Sequence, residues 1–188
     1  VFGCGKEAPP PPPPPPKAEQ PPAPPPKPTL TVKIGHSSPL TGPQAHIGKD
    51  NESGTRMAIE DANAKGIVIG GRKVRFELIS EDDQADPKTA TIVAQKLVDN
   101  KVSGVIGHLN SGTSIPASRI YHDNGIVQIS PSATAVEFTA NGYKTAFRVM
   151  ANDAQQGRVL GEYATGKLAA KKIAVIDDRT GYGQGLAD

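Results

Sequence analysis

The sequence predicts an α/β fold, a parallel β-sheet with helices on both faces. Three observations predict it. From Thr29 onward, short apolar, β-branched runs alternate with amphipathic helical stretches, the pattern of βαβ units. Right-handed crossovers in such units set the C-terminal ends of the strands on one edge of the sheet. The loops at that edge, GHSSPLTGPQ, SEDDQADP, GHLNSGTS and SPSATAVE, are all rich in small polar residues, and ligands of open α/β sheets bind at that edge.

The elements follow in order. Thr29 to Ile34, TLTVKI, alternates and reads as a strand, with GHSSPLTGPQAHIG as a polar loop after it. Glu52 to Lys65 reads as a helix, with Met57, Ile59 and Ala62 on its apolar face and Gly66 as its stop. Gly70–Gly71 form a hairpin-like turn before a strand from Lys73 to Ile79. Asp86 ahead of Pro87 has the form of an N-cap with proline at N1. The helix it opens, Lys88 to Asp99, shows apolar Ile92, Val93, Leu97 and Val98. VSGVIG is a third strand, about Ser114 to Asn124 a helix ended by Gly125, and IVQIS a fourth strand. RVM is a short extended piece; a helix capped by Asn152 or Asp153 follows, then a strand at KKIAVIDD. RTGYGQGLAD opens another loop and helix. A helix should not end a domain at its first turn, so the expectation is a chain lacking the C-terminal part of its fold.

Residues 1–28 stand apart. They hold fourteen of the nineteen prolines among 188 residues, cannot bury a core, and read as a semi-rigid polyproline II spacer. About 160 residues remain, enough for a sizeable core. The net charge is +2 with lysines and arginines scattered; no basic stripe suggests nucleic acid. No apolar run approaches the roughly 20 residues of a membrane span. The one cysteine, Cys4, forms no internal disulfide or metal cluster. Its setting, VFGC, resembles a bacterial lipobox, with the bulky Phe2 as a departure. The expectation is a lipidated Cys4 that tethers the folded part through the spacer.

Residues 107–118, GHLNSGTSIPAS, join a strand to a helix. Read locally, the junction is either an ordinary capped turn or a pocket for an anion at a helix N-terminus. Catalysis finds little support. Gly181, Gly183 and Gly185 do not form a dinucleotide fingerprint, and there is no P-loop lysine. His36, His46, His108 and His122 lack metal-ligand spacing. Asp82 and Asp83 read as a strand-end polar loop. No catalytic residue, metal or cofactor is expected.

Four stretches together carry a resemblance: VKIGHSSPLTGPQAHIGKDNESGTRMAIEDANAKG, DDQADPKTATIVAQKLV, VIGHLNSGTSIPASRIYHDNGIVQISPSATAVEFT and IAVIDDRTGYGQGLA. In order and spacing they resemble the branched-chain amino-acid-binding proteins of ABC transporters, type I periplasmic binding proteins. The resemblance runs from about Thr29 to Asp188. It implies two Rossmann-like lobes joined by three crossings, with ligand closed between them. Residues 29–146 would be lobe one, and 147–188 the first crossing, near Phe147 to Met150, with the start of lobe two. It further implies a leucine, isoleucine, valine or related ligand, delivery to an ABC permease, and a periplasmic or envelope location.

The resemblance also assigns residues. Ser111 matches the serine that binds the α-carboxylate. Thr134 matches the threonine that meets both carboxylate and ammonium; Ser132 offers a carbonyl to the ammonium, and Ala133 a backbone N–H. Tyr182 matches a lobe-two aromatic that packs on the ligand, and Leu109 lines the side-chain pocket. Ile47 stands where leucine-type proteins have a tyrosine, which keeps the wall apolar but loses a hydroxyl; His46 lies beside it. A disulfide that some relatives have between the loops at Ala85 and Asn110 is missing. The ligand's side chain is left open, because lobe two carries much of that choice. The alternative is a sensing domain of a receptor for amides or amino acids, which the sequence of lobe one does not distinguish.

Overall fold

The structure, a computed structural model, describes residues 28–188. Cys4 and the spacer expected over residues 1–28 lie, apart from Pro28, outside the described residues. The chain runs β1 (Leu30–Ser38), α1 (Ala45–Ala64), β2 (Val68–Ile69), β3 (Arg72–Asp82), α2 (Pro87–Asp99), β4 (Gly104–Gly107), α3 (Ser111–Asp123), β5 (Val127–Ser130), α4 (Glu137–Ala140), β6 (Ala146–Arg148) and α5 (Asp153–Glu162). A π turn, Tyr163–Lys167, and α6 (Gly183–Ala187) complete it.

The sheet order is β2-β3-β1-β4-β5-β6. All pairs are parallel except β2 with β3, which close the hairpin over Gly70 and Gly71. The chain leaves β1 toward one edge and, after β3, crosses back to β4 on the other side of β1. The order therefore reverses between β1 and β4, the switch point where open α/β sheets hold their ligands.

One face of the sheet is well packed. Val93, Ala94 and Leu97 of α2 meet Val105 of β4 and Ala117 and Tyr121 of α3 in a continuous core. The other face is covered only in part. α1 lies over β1 and β3, leaving a cleft of about 590 Å³ bounded by Ile59 and Ala62 of α1 and by Phe76 and Ile106 of the sheet. Beyond it, Ile106, Ile129 and Phe147 stand in one register row, with Phe147 49% exposed.

Local chemistry explains the boundaries. Asp86 caps α2, its carboxylate accepting the Thr89 N–H at 2.7 Å, with proline at N1. β1 runs four residues past Ile34, because Gly35, His36, Ser37 and Ser38 continue the ladders to β3 and, up to Ser37, to β4. α1 starts at Ala45, seven residues before the expected Glu52, with no side-chain cap to mark it. α3 starts at Ser111 instead of Ser114. The strand expected at KKIAVIDD does not pair with any strand among the described residues. Ile173, Val175 and Ile176 are open to solvent, Ile176 at 92%; a strand needs a neighbour to satisfy its backbone, and none lies beside it here.

Candidate functional site

The loops after β1, β4 and β5 meet at the switch point. Asp82, at the end of β3, fixes the first of them: its carboxylate accepts the Leu40 N–H at 2.8 Å, the Thr41 hydroxyl at 2.5 Å and the Gln84 N–H at 2.9 Å. Burial pushes this carboxyl up, but those hydrogen bonds outweigh it and hold it below the usual range. Gln44, at the end of this loop, then accepts the Asn110 side-chain N–H at 2.8 Å.

The loops after β4 and β5 are held together through carbonyls. Ser130 Oγ donates to the His108 carbonyl at 2.7 Å and accepts the Ala133 N–H at 2.9 Å. Ser132 Oγ donates to the Leu109 carbonyl at 2.7 Å. Ser111 Oγ accepts the Ala135 N–H at 3.1 Å, which leaves its own hydroxyl proton available to another acceptor.

Beneath these loops lies a closed polar network. His108 Nδ1 is 2.7 Å from Asp83 Oδ2 and 3.1 Å from Ser37 Oγ, and His108 Nε2 is 3.1 Å from the Tyr121 hydroxyl. Burial pushes the Tyr121 hydroxyl well above its usual range, and the charge of Asp83 adds to that. Serine, histidine and aspartate suggest a triad only by composition. Ser37 and Asp83 share one ring nitrogen, and all three are sealed from solvent, so no base is left to activate the serine toward a substrate. The network is a brace under the ligand edge.

A cavity of about 220 Å³ opens above it, lined by Gln44, Leu109, Asn110 and Ser111 on one side and by Ser132 and Thr134 on another. Asp178, Thr180 and Tyr182 form the opposite wall. That wall stands close because two glycines meet: a β-carbon at Gly181 would lie 3.1 Å from the Gly112 Cα. Asp178 Oδ1 shapes the wall by accepting the Thr180 hydroxyl at 2.6 Å and the Thr180 N–H at 3.0 Å. The same two bonds, hydroxyl first, hold the Asp178 carboxyl below its usual range.

Two features of the lining point to a charged ligand. α3 has no side-chain cap, since the Asn110 amide is turned toward Gln44. The first N–H groups of a helix have no partner within it, and here no acidic side chain occupies the first turn. The Thr113 N–H donates to the Asn110 carbonyl at 3.3 Å, which leaves those of Ser111 and Gly112, and Ser111 lines the cavity at this positive end of the helix dipole. Thr134 Oγ1, in turn, is buried without a hydrogen-bond partner.

The cavity thus gathers Leu109, Ser111, Ser132, Thr134 and Tyr182. Ser132 spends its side chain on Leu109, while its carbonyl accepts no bond among the described residues. Two residues expected at the site are elsewhere. The Ala133 N–H is taken by Ser130, and Ala133 is fully buried outside the lining. Ile47 sits in the first turn of α1, 44% exposed, also outside the lining. Gln44, Asp178 and Thr180 were not anticipated. Gln44 and Asp178 occupy strand-end and loop stretches at the expected edge, but no local pattern separates them from their neighbours.

The periplasmic binding protein family profile matches residues 31–188. This chain belongs to the periplasmic binding protein family. It is 45% identical over 157 residues to Leu/Ile/Val-binding protein homolog 1 of Brucella abortus, covering 84% of this chain and 42% of that protein. Likewise, it is 43% identical to the leucine-, isoleucine-, valine-, threonine-, and alanine-binding protein of Pseudomonas aeruginosa, over 84% of this chain and 41% of the relative. Among solved structures, the branched-chain amino acid transporter substrate binding protein of Streptococcus pneumoniae in complex with isoleucine superimposes with a TM-score of 0.74 at 31% identity. That match covers 84% of this chain and 44% of the other. The chain therefore spans less than half the length of these periplasmic binding protein relatives.

Proposed function

We propose that this chain forms the first lobe and part of the second lobe of an extracytoplasmic binding protein for a branched-chain or related amino acid. The observation that carries the reading is the meeting, in one cavity at the switch point, of an uncapped helix N-terminus with a buried, unpartnered hydroxyl. The free N–H groups of α3 and the Ser111 hydroxyl receive the α-carboxylate. The Ser132 carbonyl and Thr134 Oγ1 accept from the ammonium, and the Thr134 hydroxyl donates to the near carboxylate oxygen. Asp153 supports this loop from outside the lining: it is 2% exposed, and its N–H donates to the Thr134 carbonyl at 2.9 Å. Leu109 and Tyr182 give the apolar part of the ligand its contacts.

Residues 29–146 act as lobe one in this reading, and 147–188 as the first crossing and the start of lobe two. The lobes close by hinge bending, and the closed form passes its ligand to an ABC permease. Periplasmic or envelope location follows from the same reading, with a lipidated Cys4 as the tether. Among the described residues, no helix is long and apolar enough to cross a membrane.

Calorimetry on the full-length protein tests the proposal with leucine, isoleucine, valine and neutral amides, and with Ser111→Ala and Thr134→Ala. Saturable heats with one of the amino acids, weakened at least about tenfold in both variants, are expected, since hydrogen bonds to charged groups contribute about 1.5–3 kcal/mol. Unchanged affinity in both variants removes the site assignment. Absence of binding to any of these ligands removes the ligand class.

A further inference from the structure

We infer that Arg148 is a positioning residue for the ligand loop, holding Ala133, Thr134 and Ala135 so that Thr134 stays in the cavity wall. This inference rests on the cavity being the amino-acid site.

The hydrogen bonds around the tripeptide are nearly complete. Arg148 Nη1 donates to the Ala133 carbonyl at 2.9 Å, and Nη2 to the Ala135 carbonyl at 2.7 Å. The Thr134 carbonyl between them accepts the Asp153 N–H at 2.9 Å. Three successive carbonyls are thus tied to residues 148–153. On the amide side, Ala133 donates to Ser130 Oγ and Ala135 to Ser111 Oγ. Of the polar groups in the tripeptide, only the N–H and the hydroxyl of Thr134 have no partner among the described residues, and that hydroxyl is buried.

Arginine suits the task. Its rigid fork spans two carbonyls that flank a third, which a lysine ammonium, a single point charge, does not match. The plane of the fork is fixed further. Nη2 also donates to the Thr139 hydroxyl at 2.8 Å, and the guanidinium carbon lies 5.5 Å from the centre of the Phe138 ring. No carboxylate lies within ion-pair distance of Arg148 among the described residues, so its donors serve the loop. Arg148 also lies in the expected first crossing. Any rotation of that crossing acts on the ligand loop through the same three carbonyls.

The test uses the full-length protein with Arg148→Met, which keeps the stem and removes the fork, and Arg148→Lys. Amide exchange followed by NMR should quicken about tenfold or more at Ala135 in Arg148→Met, with α2 and β3 unchanged, because one loop and not the core loses its ties. L-leucine affinity should fall about tenfold. The discriminating readout is the double variant. If Arg148 acts through Thr134, Arg148→Met weakens binding by less than about twofold once Thr134→Val is present; a general loss of structure would add in full.

Arg148→Lys should show the same changes at a few-fold scale, and it carries the test if Arg148→Met does not fold. Additive losses, or exchange that quickens throughout the sheet, overturn the inference. Leucine binding that survives both Arg148 variants unchanged overturns it while leaving the amino-acid site standing. A wild-type protein that binds no amino acid overturns both.

Discussion

Ser111 and Thr134 face the same cavity but are held differently. Ser111 Oγ accepts the buried Ala135 N–H, whereas Thr134 Oγ1 has no hydrogen-bond partner among the described residues. Ser111→Ala should therefore cost about 1–3 kcal/mol of stability by leaving a buried donor unpaired, in addition to any loss of binding. Thr134→Val keeps its shape and should leave the urea midpoint near that of the wild type. Equal midpoints for the two variants would contradict this hydrogen-bond assignment. His36 gives a second prediction at this scale. It is 1% exposed, and its Nδ1 has no partner among the described residues. Burial lowers its pKa from 6.5 to about 4, against the opposing charges of Glu52 and Asp83 and with help from His108 and Arg56. The unfolded chain therefore binds more protons than the folded one between those values. The neutral ring's contribution is complete above pH 6.5 and is lost as pH falls toward 4, up to about 3 kcal/mol. The denaturation midpoint of wild type minus that of His36→Leu, followed from pH 7 to 4, should show this slope.

At the scale of elements, the end of β4 is set by a close approach. Gly107 has φ +135°, and a β-carbon there would collide with the Ser37 carbonyl of β1. Gly107→Ala combines a strained backbone with that collision and should destabilise the protein by more than about 2 kcal/mol, read in urea unfolding. The brace beside it is as sensitive: Asp83→Ala leaves His108, Ser37 and the Ala85 N–H without their shared acceptor. A loss of at least about 1–3 kcal/mol is expected, the cost of leaving a buried hydrogen-bonding group unpaired. Some of these elements were legible in the sequence and others were not. Asp86 and Pro87 mark the start of α2 because cap and proline act within four residues. The start of α1 at Ala45 has no cap, and β1 beyond Ile34 is polar because it feeds a buried network. Apolar periodicity is silent about both. KKIAVIDD shows the opposite failure: its pattern suits a strand, yet pairing requires a neighbour that the pattern cannot supply.

For the molecule as a whole, apolar surface is distributed unevenly. α2 and α3 seal one sheet face, while in the row Ile106, Ile129 and Phe147 the first two are half-buried and Phe147 is open, as is the segment at Ile173, Val175 and Ile176. A cleft of about 730 Å³ between α5 and that segment is larger than the site cavity, shares Asp178 and Tyr182 with it, and is walled by Leu160, Ile173 and Leu186. Its wall is mainly apolar, with Asp177, Asp178 and two tyrosines at one side, whereas the smaller cavity gathers Gln44, Asn110, Ser111, Ser132 and Thr134 and is the better ligand site. In this 188-residue form the open layer should bind a hydrophobic dye such as ANS. Ile176→Thr, at the most exposed of these positions, should reduce that fluorescence without shifting the unfolding midpoint by more than about 0.5 kcal/mol in stability.

The sequence by itself determined the α/β class, the parallel sheet, the edge at which the small polar loops gather, and membership of the binding-protein family. These rest on local periodicity, short-range caps and motif order, which need no knowledge of distant contacts. Only the tertiary structure decided which loop residues reach the cavity. Ala133 was removed from it by Ser130, Ile47 by the early start of α1, and Gln44 was brought in by a bond to Asn110, 66 residues away. The same holds for Asp83 with His108 and for Arg148 with the ligand loop. Hydrogen bonds between loops depend on where the sheet places their ends, and that placement is a property of packing between strands far apart in the chain.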